Sequence, residues 1–163
     1  MLSCYMKSES MGLTNGKVLV IDDNLIIQRT VGLLLRQLGY QALVSGDVTD
    51  ALAVVRRERP DAILLDINFP DDFSVTGEVR NGFWATEWMS HIEGIKEIPV
   101  ILMSTANPAE AGPKAEAVGA AAFLPKPLDR GQLTAILQKL IAAKKPDTQL
   151  IPILKMTAPV LQS

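Results

Sequence analysis

The sequence predicts an α/β protein in which five parallel strands form one doubly wound sheet between two layers of helices, three layers in all. Short runs rich in Val, Ile and Leu alternate along the chain with segments whose apolar residues recur at helical spacing. Such runs are typical of strands buried on both faces, and their alternation with helices favours a parallel sheet with right-handed crossovers. The 163 residues, of which 48% are hydrophobic, suit one domain with a sizeable core and short tails.

Three strands and two helices are predicted in the first half of the chain. Asn24 can cap the first helix, because its side chain can accept hydrogen bonds from the free N–H groups there, and Gly39 can end it. Pro60 ends the second helix, since the residue before a proline disfavours helical conformation. The predicted elements are a strand over Lys17–Asp22, a helix between Asn24 and Gly39, a weaker strand over Tyr40–Ser45, a helix over Val48–Arg59 and a strand over Ala62–Asp66.

Two more strands and three helices are predicted in the second half. The Gly112-Pro113 pair should weaken the fourth helix, unless Pro113 is simply its first residue, where proline is tolerated. The predicted elements are a helix over Phe83–Gly94, a strand over Pro99–Ser104, a short helix over Pro113–Gly119, a strand with its turn over Ala121–Pro127 and a helix over Leu128–Ala143. The domain is therefore expected over residues 17–143, with tails over 1–16 and 144–163.

The composition argues against several classes of protein. A formal net charge of −2 and the lack of a dense Lys/Arg block disfavour a dedicated nucleic-acid binder. The one cysteine, Cys4, cannot build a disulfide framework or a cysteine-rich metal site, which favours a reducing compartment such as the cytoplasm. The first residues lack the unbroken apolar core of a signal peptide, and no apolar run is long enough to predict a membrane span.

Polar side chains stand at the carboxyl ends of four predicted strands. Asp22 and Asp23 end the first strand, Asp66 the third and Ser104 the fourth, and Lys126 follows the fifth. In a doubly wound sheet these ends lie at one edge, where ligands bind at the point at which strand order reverses. The sequence therefore predicts one crevice that holds three carboxylates, a hydroxyl group and an ammonium group.

Three carboxylates in one crevice are costly without a cation. Two unit charges about 4 Å apart at an effective dielectric near 20 repel by about 4 kcal/mol, and a set of oxygen ligands favours Mg²⁺ or Mn²⁺ over zinc. With Lys126 and Ser104 added, the crevice suits a phosphoryl group, and a carboxylate can itself be the nucleophile that forms an aspartyl-phosphate. Asp66 is the best candidate, because Asp22 and Asp23 are more plausibly occupied with the metal.

Each of these residues also has an ordinary structural explanation. An aspartate at a strand end often caps the next helix, and Ser104 can be such a cap. Lys126, before a proline, can be a solvated turn residue. What favours a phosphoryl site is the conjunction of all of them at strand ends, in this order along the chain.

At these residues the chain resembles the receiver (CheY-like) domain of two-component response regulators. VLVIDDN is similar to that family's acidic pair, PDAILLDINFP to its phosphoacceptor strand, PVILMS to its hydroxyl strand and AVGAAAFLPKPL to its lysine-proline turn. The resemblance covers Lys17 to Ala143 and implies a flavodoxin-like fold. It also implies a stand-alone phosphoacceptor that takes phosphate from a histidine kinase or a phosphotransfer protein. Such a protein is not an enzyme beyond its own phosphorylation and dephosphorylation.

The resemblance also implies the residues of a phosphorylation and metal site. Asp66 would be the phosphorylation site. Asp23 and Asp66 would bind Mg²⁺ through carboxylate oxygens, Asn68 through its backbone carbonyl and Asp22 mainly through water.

Signal output is likewise implied by the resemblance. Ser104 and Lys126 would hold the phosphoryl group, and Phe123 matches the switch aromatic that changes rotamer when the hydroxyl residue moves. Output would run through protein contacts, including a homodimer through the face of the fourth helix, fifth strand and fifth helix.

The C-terminal tail offers a second dimer surface or packs on its own domain, since it carries six large apolar residues: Leu150, Ile151, Ile153, Leu154, Val160 and Leu161.

The chain departs from the family's pattern after the phosphoacceptor strand. The Asn81-Gly82 turn follows Asp66 at a longer distance than is usual, so residues 71–81 are expected to form an enlarged loop. This loop either contacts the kinase or partly covers the site, or it is a tolerated insertion. Thr105 stands where the family has a smaller residue and can narrow access to the site. His91, the one histidine, has no visible catalytic partner and is taken as an ordinary helix residue.

Two other functions stay open at this point. A receiver fold can serve as an interaction module that is never phosphorylated, although the complete set of polar strand-end residues argues against this. A phosphatase with an aspartyl-phosphate intermediate usually carries a second acid two residues after its nucleophile. Asn68 occupies that position, which disfavours a phosphatase.

Overall fold

The structure is a computed structural model that describes residues 14–68 and 81–144. The predicted enlarged loop, apart from Asn81, lies outside the described residues. So do both predicted tails, except for residues 14–16 and 144. Within the described ranges, no helix is long and apolar enough to cross a membrane.

Strands and helices alternate along the described chain. The strands are β1 (Lys17–Ile21), β2 (Gln41–Ser45), β3 (Ala62–Asp66), β4 (Val100–Ser104) and β5 (Ala122–Pro125). The helices are α1 (Leu25–Gln37), α2 (Val48–Glu58), α3 (Gly82–Met89), α4 (Pro108–Ala117) and α5 (Arg130–Lys144). The strands form one sheet in the order β2-β1-β3-β4-β5, and every neighbouring pair is parallel. The predicted doubly wound α/β fold is confirmed, with the reversal of strand order between β1 and β3.

The sheet separates two apolar cores. Successive side chains of β1 point to opposite faces, so Leu19 and Ile21 join the core under α2, α3 and α4, while Val18 and Val20 join the core under α1 and α5. All five residues of β3 and all five of β4 are buried, as expected for central parallel strands covered on both faces. The last residues of these strands, Asp66 and Ser104, are therefore polar groups at the top of a dry interior.

Asparagine side chains cap three of the helices. Asn24 accepts hydrogen bonds from the backbone N–H groups of Ile26 and Ile27, as the sequence predicted. Asn81 caps α3 and Asn107 caps α4 in the same way. These caps fix where the helices begin after the carboxyl ends of β1, β3 and β4, and so they shape the rim of the crevice.

The fourth helix begins earlier than predicted. It starts at Pro108, not at Pro113, because Asn107 caps it and Pro108 occupies the first turn, where the missing N–H group is not needed. Pro113 consequently lies inside α4. A proline there removes one hydrogen bond of the helix but does not end it.

The third helix ends earlier than predicted, at Met89 instead of Gly94. The Ser90 hydroxyl donates to the Glu87 carbonyl at 2.6 Å, which offers the backbone an alternative to helical bonding at that point. His91 follows in a turn, with its Nδ1 atom 2.8 Å from the same carbonyl oxygen. His91 is therefore a surface residue of the turn after α3 and not a residue within that helix.

Candidate functional site

The carboxyl ends of β1, β3, β4 and β5 bring four polar side chains together. β3 lies between β1 and β4, and β5 flanks β4, so these strand ends are neighbours in the sheet. Asp22, Asp66 and Ser104 are 1%, 5% and 0% exposed, which is unusual for polar residues. The side chain of Lys126 is 13% exposed. Asp23, in contrast, is exposed at the mouth of the crevice.

Lys126 connects the two buried carboxylates. Its Nζ atom donates a hydrogen bond to Asp22 Oδ2 at 2.6 Å and lies 3.1 Å from Asp66 Oδ1. The backbone holds the lysine in register, because the Lys126 N–H group donates to the Ser104 carbonyl at 2.8 Å. One ammonium group thus faces both carboxylates from the β5 side of the crevice.

The three aspartates form a set of oxygen ligands. One carboxylate oxygen from each of Asp22, Asp23 and Asp66 lies within 4.8 Å of the others. Asp66 Oδ1 is buried, and no described residue gives it a hydrogen bond of acceptable geometry, although Lys126 Nζ is nearby. A buried carboxylate oxygen without a hydrogen bond is costly, and a hard divalent cation is the partner that a trio of carboxylates prefers. The donor set therefore fits Mg²⁺.

Burial and charge set the protonation of the site. Burial raises the pKa of Asp66, and the nearby Asp22 charge adds to this effect, although the ammonium of Lys126 partly offsets it. For Lys126, burial disfavours the charged form, but hydrogen bonds and charge from Asp22 and Asp66 outweigh burial and raise its pKa. Lys126 is therefore a cation at neutral pH, and the excess of negative charge falls on the aspartates.

The buried Gln28 side chain forms a hydrogen bond with the backbone of Asp22, and Gln28 was not among the predicted site residues. The Gln28 side chain is 7% exposed and its Nε2 atom donates to the Asp22 carbonyl at 2.6 Å. The same nitrogen lies 3.5 Å from the Ser45 carbonyl, so one amide connects the ends of β1 and β2. The signal was present in the sequence: Gln28 lies three and seven positions before Val31 and Leu35, on the apolar stripe of the first helix.

Gly82 brings the start of α3 into direct contact with the end of β3. Its N–H group donates to the Ile67 carbonyl at 2.9 Å. A Cβ atom on Gly82 would lie 2.5 Å from the Asp66 carbonyl oxygen and 2.7 Å from the Ile67 Cα atom. Only glycine permits this approach, so α3 braces the backbone that carries the Asp66 carboxylate.

The remaining predicted site residues lie on both sides of this centre. The Ser104 hydroxyl accepts a hydrogen bond from the Ala106 N–H group at 3.0 Å, and Thr105 beside it is exposed. Phe123 is partly buried on β5, where it packs against the core under α2, α3 and α4. Asn68 is exposed two residues after Asp66, and its backbone opposes slightly the rise that burial causes in the pKa of that carboxylate.

Comparison with known proteins gives a consistent picture. The family model described as response regulator receiver domain matches residues 18–138. Protein PilG of Pseudomonas aeruginosa is 29% identical over 143 residues, which cover 86% of this chain and 96% of that protein.

Two solved structures with 30% sequence identity have TM-scores of 0.64. One is the chemotaxis protein CheY4 of Vibrio cholerae, with 76% of this chain and 97% of that chain covered. The other is the receiver domain of the sensor histidine kinase PA1611 of Pseudomonas aeruginosa, with 78% and 98% covered, which holds a magnesium ion in its active-site cleft.

Proposed function

Because the chain belongs to the response regulator receiver domain family, we propose that it is a phosphoacceptor of a two-component system, phosphorylated on Asp66 with the help of Mg²⁺. The donor is the phosphohistidine of a histidine kinase or a phosphotransfer protein. One observation carries the proposal: among the described residues, none forms a hydrogen bond of acceptable geometry with the buried Asp66 Oδ1, which lies beside the Lys126 ammonium and two further carboxylates. Buried polar atoms are usually paired, and such an oxygen among charged groups is typical of a functional site.

The metal ligands follow from what each carboxylate already binds. Asp22 Oδ2 accepts from Lys126 and Asp22 Oδ1 accepts from the Asn24 N–H group at 2.9 Å, so Asp22 is best suited to act through water. Asp23 is exposed, and together with Asp66 it would hold the ion directly, with the Asn68 backbone carbonyl as a further ligand. When bound, Mg²⁺ supplies positive charge that offsets the carboxylates and the transferred phosphoryl group.

The chemistry is a transfer of a phosphoryl group between two nucleophiles. A carboxylate oxygen of Asp66 attacks the phosphorus atom of the phosphohistidine, the P–N bond breaks, and its electron pair returns to the imidazole nitrogen of the donor. The product is an acyl phosphate on Asp66. Lys126 remains charged throughout and binds a phosphoryl oxygen, which stabilises the charge spread over these oxygens in the transition state.

Output would begin at the hydroxyl of Ser104. In the unphosphorylated chain this hydroxyl accepts from the Ala106 N–H group. Turning toward a phosphoryl group on Asp66 would replace this bond with a charge-assisted one and would vacate space near the half-buried Phe123. The resulting change of the α4, β5 and α5 surface would control binding of a protein partner, which can be a second copy of the chain.

The proposal also covers the protein's location, its partners, the enlarged loop and the role of α4. The proposed receiver acts in the cytoplasm through protein contacts, without binding nucleic acid and without enzymatic activity other than its own phosphorylation and dephosphorylation. The enlarged loop over residues 71–81 would act as a flap that contacts the kinase. The proline within α4 supports a role in output, because that helix has one hydrogen bond fewer to break.

The test is phosphorylation by a small donor. With acetyl phosphate and Mg²⁺ the intact mass should rise by one phosphoryl group, and Asp66→Asn should abolish the gain. Glu116→Gln, at an exposed position of α4, serves as the matched control and should label like the parent chain. Labelling that persists in the Asp66→Asn chain would refute the assignment. No labelling of the parent chain, by acetyl phosphate or by a phosphorylated kinase, would favour an interaction module that is never phosphorylated.

A further inference from the structure

A cleft opens at the amino ends of β1 and β2, on the side of the sheet opposite the aspartate site. It has a volume of about 310 Å³ and is lined by Asn15, Tyr40, Gln138, Ile141 and Ala142. Asn15 precedes β1 and Tyr40 precedes β2, while the other three residues belong to the end of α5. The cleft therefore lies between the end of α1 and the end of α5, and the proposed phosphorylation chemistry does not use it.

The walls of the cleft are held firmly in place. The Asn15 N–H group donates to the Gly39 carbonyl at 2.9 Å, and Asn15 Nδ2 donates to the Leu38 carbonyl at 2.9 Å, so the segment before β1 is bonded to the end of α1. Ile141 is 4% exposed and Tyr40 is 5% exposed, which anchors the floor in the core. The cleft is thus a preformed feature of the fold.

The lining combines two kinds of surface. Tyr40, Ile141 and Ala142 offer an aromatic ring and aliphatic groups, while Asn15 and Gln138 offer amide groups at the rim. An apolar floor with amides beside it suits an extended peptide, because apolar side chains can enter the floor while backbone carbonyl and N–H groups pair with the amides.

The chain itself supplies such a segment at the right place. Ala142 lines the cleft and α5 ends at Lys144, two residues further along the chain. After the polar stretch Lys145–Gln149 the sequence reads LIPIL over Leu150–Leu154. Ile151 is biased toward an extended conformation because Pro152 follows it. The segment carries four large apolar side chains and no charge.

The distance presents no obstacle. The five residues before Leu150 span up to about 17 Å when extended, whereas two helical residues advance only about 3 Å along α5. A covalent tether of this length gives an effective concentration on the order of millimolar, which favours the chain's own segment over a free partner. Residues 1–13 also lead to Asn15, but the polar stretch Lys7–Ser10 interrupts their apolar residues.

We propose that Leu150–Leu154 dock in the cleft formed by Asn15, Tyr40 and the last turns of α5 of the same chain. The cleft is then an intramolecular binding site that ties the C-terminal segment to the ends of α1 and α5. The inference is independent of phosphorylation at Asp66, because it uses residues on the opposite side of the sheet.

The two tyrosines of the chain allow a direct test. Tyr5→Phe leaves Tyr40 as the one tyrosine, and incorporation of 3-fluorotyrosine then gives a single ¹⁹F resonance from the cleft. In the full chain, Ile151→Asp combined with Ile153→Asp should shift this resonance and raise its relaxation by a soluble gadolinium chelate severalfold, since the chelate can then approach the open cleft above the ring. Thr148→Asp combined with Gln149→Asp adds the same charge to the tether and should leave both measurements unchanged.

Three results would overturn the proposal. If the Ile151/Ile153 variant leaves the resonance and its relaxation unchanged, the segment does not occupy the cleft. If Leu2→Asp combined with Met6→Asp causes the change instead, the N-terminal segment is the occupant. If dilution of the parent chain reproduces the change, a second copy supplies the segment.

Discussion

The Lys126 ammonium donates a hydrogen bond to the Asp22 carboxylate at 2.6 Å, across 104 positions of the sequence. The same nitrogen lies 3.1 Å from Asp66 Oδ1. This lysine therefore serves two carboxylates at once: it offsets part of the negative charge of the unphosphorylated site, and it is in place for a phosphoryl group on Asp66. The first predictions follow from this double role.

Lys126→Met should destabilise the metal-free protein. It leaves two buried carboxylates without their cation, and loss of one partner from a buried ion pair costs about 3–5 kcal/mol. The free energy of unfolding, measured in urea, should fall by an amount in this range, and Mg²⁺ should restore part of it. Lys139→Met, at an exposed position of α5, is the control and should change stability little. An equally small effect of Lys126→Met would mean that the aspartates take up protons in the folded protein.

Asp66→Asn should stabilise the metal-free protein while it abolishes phosphorylation. The substitution keeps the shape of the side chain and removes a negative charge whose burial is unfavourable. The size of this gain depends on pH. Because the pKa of Asp66 is raised in the folded state, its contribution to stability is lost as pH rises from below its unfolded pKa through its folded pKa.

The stability gained by Asp66→Asn should therefore be larger at neutral pH than at acidic pH. Urea unfolding of parent and variant at several pH values, without divalent ions, measures this difference. A variant that is less stable than the parent at neutral pH would show that attraction to Lys126 outweighs the cost of burial.

Asp23→Ala should weaken Mg²⁺ binding markedly with little effect on stability. Asp23 is exposed, so its removal leaves no buried group without a partner, but it deletes a ligand and one negative charge. A calorimetric titration with Mg²⁺ measures the affinity, and Glu97→Gln, at an exposed position before β4, is the control that removes one negative charge at the opposite end of the strands. Equal affinities of parent and Asp23→Ala would assign the ion to other ligands.

Gly82→Ala should slow phosphorylation and lower stability. The new Cβ atom would lie 2.5 Å from the Asp66 carbonyl oxygen, so α3 or the end of β3 has to move, and overpacking of this kind costs about 1–3 kcal/mol. Gly112→Ala is the matched control, since a Cβ atom there meets nothing within 4 Å. Replacing a helical glycine by alanine should raise stability by about 0.4–1 kcal/mol. Similar labelling rates for the two variants would show that α3 does not position Asp66.

Gln28→Ala should reduce both stability and Mg²⁺ affinity. The Asp22 carbonyl would lose its buried donor, at a cost of about 1–3 kcal/mol, and the turn that carries Asp22 and Asp23 would loosen. Gln37→Ala, on the exposed side of the same helix, should leave both quantities near those of the parent. A loss of stability with unchanged metal affinity would make Gln28 a residue of the core alone.

The strand ends could be predicted from sequence for a simple reason. Central parallel strands are almost wholly apolar, so a polar residue at the end of such a run marks where the strand leaves the core. Asp66 ends β3 and Ser104 ends β4, as the alternation of apolar and helical segments indicated. The start of α4 was harder to predict, because Asn107 and Pro108 resemble loop residues, and the helix was placed too late for that reason.

The sequence by itself thus determined the fold class and the polar residues at the strand ends. Alternating strands and helices form a parallel sheet, and the carboxyl ends of all its strands lie on the same side. Only the tertiary structure decided that Lys126 bonds to Asp22 while facing Asp66, that Gln28 supports Asp22, and that Gly82 touches the Asp66 backbone. These contacts join residues far apart along the chain, and their distances follow from how tightly helices pack on the sheet. Local patterns of hydrophobicity carry no information about that packing.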